Sequence, residues 1–165
     1  MSRNWVGRFV EAEREHEREL AQRAETGVRF ATLRAARLQS YMDVLEEQVA
    51  GDVAAFAREF PERRVRFERP LGGGFSVRRE HYPEVHLLVT PNEHEGVIHV
   101  QYVFAMETGT LAPPSFDLVP EPGTSFTVHV QGRRSGLTLY GAEQTSEYLL
   151  VPVFTGVPRD HGAPA

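Results

Sequence analysis

The sequence predicts an α+β fold in two layers, with an N-terminal long or paired helix packed on a single antiparallel β-meander of about six to seven strands. Two observations carry that expectation. The spacing of apolar residues changes from the helical period to the strand period of two near residue 64. The runs that follow are short and mostly joined by links of hairpin length, which favours antiparallel neighbours.

The helical part is clearest between Leu38 and Phe60. Leu38, Met42, Leu45, Val49, Val53, Phe56 and Phe60 are spaced 4, 3, 4, 4, 3 and 4 and trace one stripe. Pro61 then ends the helix, because it offers no amide donor and clashes with the preceding turn. Upstream, Trp5, Phe9, Ala12, His16, Leu20 and Ala24 extend a weaker stripe through the charged stretch "EAEREHERELAQRAE". A charged helix of this kind faces solvent or a partner. The segment "ETGVRF", residues 25–30, is the expected break, since a glycine in a helix interior costs about 1 kcal/mol. The chain therefore divides into a charged helical extension (1–25), one α+β domain (26–154, with helix 28–60 and sheet 64–154) and a disordered tail (155–165).

The strand runs are "VRFERP", "FSVRRE", "EVHLLVT", "GVIHVQYVFAM", "SFTVHVQ", "GLTLYG" and "EYLLVPVF". Alternation puts Val65, Phe67, Phe75, Val77, Val85, Leu87 and Val89 on the core side. Ile98, Val100, Tyr102, Phe104, Met106, Phe126, Val128 and Val130 join them from later strands. The helical stripe needs an apolar cover, and this sheet face supplies it. Residues 107–123, with four prolines, read as a long loop.

Composition narrows the function classes. The chain has 165 residues, no cysteine and a net charge of -5. Without cysteine there is no disulfide, thiolate metal site or cysteine nucleophile. The acidic balance argues against nucleic acid, whose phosphates demand a basic face. No secretory h-region and no membrane-length apolar run is present, which gives a cytoplasmic expectation with no membrane partner. All 18 basic residues are arginine, a bias of GC-rich, bacterial coding.

Histidines supply the candidate site. In "VHLLVTPNEHEGVIHVQ" a four-residue loop, 92–95, would place Leu88 opposite His99 and His86 opposite Gln101. His86 and His99 are then diagonal neighbours on the outward face, and His129 shares their parity. Three outward imidazoles suit a ligand or metal site with an open coordination position, or simply a wetted sheet face; the metal is left unassigned. The string "HEGVIH" is not the zinc-protease HExxH, because its histidines are five apart and so cannot share a helical face. "PLGGGFS" has no lysine for a phosphate loop and reads as a hairpin tip. "GRRSGLTLYG" lacks the strand–elbow–helix context of a nucleophilic serine.

No catalytic residue is assigned and no cofactor is called for. Arg23, Arg29, Arg34 and Arg37, balanced only by Glu25, form a candidate contact for an anion or an acidic partner. The outward sheet face carries Leu88, Val97 and Val103, too apolar for a fully wetted surface. The leading expectation is a non-enzymatic protein-interaction or assembly module that binds a protein or itself. It would act through the N-terminal helix, the outer sheet face or the proline-rich loop. The alternative is a small-ligand binder or metal-dependent enzyme that uses the outward histidines on a curved sheet.

Overall fold

The computed structural model describes residues 5–106, 109–111, 115–122, 125–132 and 136–158. The period of three to four is realised as one helix, α1 (Trp5–Glu59), of 55 residues. No break occurs at residues 25–30. Gly27 has open space where a side chain would be, and its cost of about 1 kcal/mol is spread over a long run of good helix formers. The expected stop holds: Pro61 opens a single 3₁₀ turn, Pro61–Arg63, and Arg64 takes a left-handed φ of 49° that turns the chain into the sheet.

The strands are β1 (Val65–Glu68), β2 (Phe75–Arg79), β3 (Glu84–Asn92), β4 (Val97–Met106), β5 (Gly109–Leu111), β6 (Ser115–Pro120), β7 (Thr127–Gln131) and β8 (Leu137–Tyr140). They form one antiparallel sheet in the order β1-β2-β3-β4-β6-β7-β8, and β5 also pairs with β4. The two-layer α+β expectation is met.

The glycine hairpin tip between β1 and β2 has a specific cause. Gly74 has φ +74°, and a Cβ there would sit 2.1 Å from the Val89 carbonyl oxygen, so only glycine lets β2 start beside β3.

Two further expectations are corrected. The proline-rich stretch 107–123 is not one loop, since β5 and β6 lie within it. Phe116 and Leu118 alternate inward from β6, and its proline stands at the strand end, where a missing donor costs least. Residues 107–108, 112–114 and 123–124 lie outside the described residues.

The run "EYLLVPVF" is not a strand but belongs to α2 (Gly141–Thr155). It does not alternate strictly. Thr145, Ser146, Leu149, Leu150 and Val153 are buried at helical spacing. Helix α2 ends at Gly156, whose φ of 69° closes the last turn through a bond from its amide to the Pro152 carbonyl. Of the expected disordered tail, residues 159–165 lie outside the described residues.

One hydrophobic cluster joins all three parts. Leu38, Leu45 and Val49 of α1, Leu87, Ile98 and Tyr102 of the sheet, and Leu149 and Val153 of α2 are buried in it. Phe56 stacks on Phe154, with ring centroids 3.9 Å apart, where the two helices meet. Polar staples fix the same contacts. The Ser146 hydroxyl donates to Asp52 Oδ2 at 2.6 Å, and the Tyr41 hydroxyl, at 2.9 Å from the Ser125 carbonyl, ties α1 to the approach of β7.

At the foot of α1, Arg63 and Arg79 both donate to the Phe154 carbonyl, at 3.3 and 2.6 Å. Two guanidinium groups thus meet the negative end of α2. Burial, and secondarily the neighbouring Arg63, lower the pKa of Arg79 from its usual value.

The sheet covers α1 only from Leu38 onward. Leu38, Met42, Leu45, Val49 and Val53 are at most 3% exposed, whereas Trp5 and Phe9 are each 61% exposed, Leu20 49% and Val28 66%. About 50 Å of helix therefore extends beyond the domain at 1.5 Å per residue.

Candidate functional site

The outward sheet face and the free half of α1 hold the residues singled out from the sequence. The hairpin of β3 and β4 keeps the expected parity, but its register is two residues off. Thr90 lies opposite His99, Leu88 opposite Gln101, and His86 opposite Val103. The pairing runs on to Asn92 and Val97, so the loop is 93–96. A shift of two leaves every side chain on its face and moves its neighbours along the strand.

His86 and His99 are therefore separated by four positions, about 13 Å along the sheet. His129 lies on β7, beyond β6, about 10 Å across from the β4 strand. The structure puts all three on one face and does not bring them together. Among the described residues no group of three or more His, Cys, Asp or Glu is placed to hold a metal ion.

Each histidine has its own surroundings. His99 Nδ1 is 2.8 Å from Asp117 Oδ1, the residue opposite it on β6. A carboxylate oxygen accepts here, so Nδ1 carries a proton in this contact, and in the neutral imidazole Nε2 is the acceptor. Thr90 completes a row Thr90–His99–Asp117 across three strands, although no hydrogen bond joins Thr90 to His99 among the described residues. His129 Nδ1 is 2.9 Å from Thr138 Oγ1, with Glu121 Oε2 3.8 Å from its Nε2. The pKa of His86 is lowered, first by desolvation and then by Arg78 opposite it on β2, while Glu68 acts weakly the other way.

His99 also lines a cleft of about 660 Å³, together with Met42 and Glu46 of α1, Gly72–Gly74, Thr90 and Asn92. A second groove, of about 470 Å³, lies between α1 and α2, with a floor of Phe56 and Phe154 and a rim of Asp52, Glu59, Glu143 and Glu147.

Asp117 and Thr138 are the neighbours of the candidate histidines that sequence reasoning missed. Asp117 was hidden because its segment read as a loop, and the signal that could have found it is the alternation in "SFDLVP".

The arginines of the candidate anion contact lie along the free half of α1. Arg29 pairs with Glu25 at 3.1 Å one turn away. Arg29 and Arg37 are eight residues apart and turned about 80° from each other, and Arg23 is turned about 120° from Arg29. The Arg34 side chain lies outside the described residues.

No protein-family model, no curated protein and no solved structure matches this chain, so its reading rests on the geometry of these surfaces.

Proposed function

We propose that the chain is a non-enzymatic interaction or assembly module whose contact element is the free half of α1. One observation carries this. The stripe that the sheet buries between Leu38 and Val53 continues toward the N-terminus with none of the described residues over it, leaving Trp5 and Phe9 each 61% exposed. Large apolar side chains in series along an uncovered helix are a liability in water unless something docks there. The outer sheet face, with Leu88 and Val103 half-buried, and the segment 107–123 are lesser contact surfaces. Light scattering tests the reading. Deletion of residues 1–25 is expected to abolish association, and a strict monomer whose truncated form keeps its solubility and partners would end it.

A second reading has one observation of its own: the cleft beside His99. There the His99 imidazole, held through Nδ1 by Asp117, lines the same cleft as Gly72–Gly74. A small polar ligand that accepts from backbone amides and donates to Nε2 would fit it. A screen of polar fragments followed by NMR at His99 and Gly73 is expected to give saturable shifts on this reading. Absence of any, together with no stoichiometric metal in elemental analysis, would remove it.

A further inference from the structure

We infer that the occupant of the free half of α1 is a second copy of the same chain, lying antiparallel with Leu20 on the two-fold axis. This rests on the interaction reading above and names its partner. Three independent features of the helix agree on it.

The first is size complementarity. When Leu20 faces Leu20, an antiparallel two-fold places Trp5 opposite Ala35, Ala12 opposite Val28 and His16 opposite Ala24. Away from the Leu20 pair on the axis, these large side chains each meet an alanine, as close helix packing requires. A parallel pair in register would put Trp5 on Trp5 and Ala24 on Ala24, crowding one end and leaving a gap at the other.

The second is charge. Residues 11–19 hold five glutamates and two arginines, while residues 23–37 hold four arginines and one glutamate. The antiparallel arrangement lays the acidic segment of one copy along the basic segment of the other, with Glu19 of one beside Arg23 of its mate. A parallel arrangement would stack like on like, which costs both affinity and encounter rate.

The third is length. In this register the overlap runs from position 5 to position 35 and ends just before Leu38, where the helix enters its own core. All of the exposed stripe is used, and the two domains stand at opposite ends of a helical pair.

The chain has no cysteine, so introduced thiols report the register cleanly. Under mild oxidation of the full chain, Leu20→Cys is expected to give a disulfide-linked dimer. Trp5→Cys alone should stay unlinked, and an equimolar mixture of Trp5→Cys and Ala35→Cys should link. Linkage of Trp5→Cys to itself would overturn the antiparallel arrangement.

In sedimentation equilibrium, Leu20→Glu is expected to weaken the dimer about tenfold or more. Its thermal unfolding should match the parent's, because Leu20 touches no part of the domain. A parent chain that sediments as a monomer at all concentrations overturns the pairing. If that monomer bound a different protein in a manner lost on Leu20→Glu, the interaction reading would stand while this inference falls.

Discussion

The two halves of α1 both carry a stripe at helical spacing, weaker in the outer half, and live in different surroundings. From Leu38 to Val53 the stripe is sealed against the sheet and α2, whereas from Trp5 to Val28 it lies open. Periodicity therefore reports which face of a helix wants cover and says nothing about whether the chain itself provides it. In the inner half the cover is intramolecular, and burial there stabilises the domain. In the outer half any gain from burial must come from association, so substitutions in the two halves should register in different experiments.

The largest expected effect is the one that separates the halves most sharply. Leu45→Ala removes a side chain that is 0% exposed and should cost about 2–5 kcal/mol in chemical denaturation. Leu20→Ala, measured by the same unfolding transition in monomeric protein, should stay within about 0.5 kcal/mol of the parent. Equal losses from both would mean that the outer stripe is covered after all.

Next comes the anchor at the foot of the inner half. Arg79→Met deletes donors to the Phe154 and His81 carbonyls and is expected to lower stability by roughly 2–3 kcal/mol, with no change in association state. A neutral result would show that the pair of guanidiniums at the end of α2 is dispensable.

A smaller effect uses one substitution in both halves. Gly27 and Gly51 each have open space around the missing Cβ. Gly51→Ala should raise domain stability by about 0.5–1 kcal/mol, because the inner half melts with the domain. Gly27→Ala should increase helical circular dichroism while leaving the domain's unfolding midpoint unchanged.

The smallest concerns pH and the sheet alone. Because the folded-state pKa of His86 lies below its ordinary value near 6.5, the unfolded chain binds the proton more readily. The resulting contribution is intact above about 6.5 and is lost as pH falls through that region toward the folded-state value. His86→Gln should flatten the decline between neutral and mildly acidic pH, and an unaltered profile would assign it to other groups.

Much of the fold was legible because it follows from burial of one-sided elements. The stripe from Leu38 to Phe60, the stop at Pro61 and six of the strand runs needed only period and breakers. The run "EYLLVPVF" was misread because a short apolar segment suits a buried strand or a buried helix equally. Only the helix formers and turn glycine before it, and the packing of Leu149 and Leu150, decide the matter.

The site was less legible for a different reason. Parity survives a register shift of two, so the outward faces of His86, His99 and His129 could be read correctly. The separations between them depend on which residues close the loop at 93–96 and could not. The alternation in "SFDLVP" marks Asp117 as outward on a strand, but its place opposite His99 depends on the pairing of β6 with β4, which no local pattern encodes.

The central claim is that the outer half of α1 is an association element and the inner half a core element. Sedimentation equilibrium on the full chain beside Leu20→Glu, with unfolding midpoints taken on the same samples, tests it most directly. The parent is expected to be a dimer and the variant a monomer, with a domain of equal stability in the two once monomeric. Identical masses for both chains, or a variant whose domain unfolds with the loss of association, would contradict it.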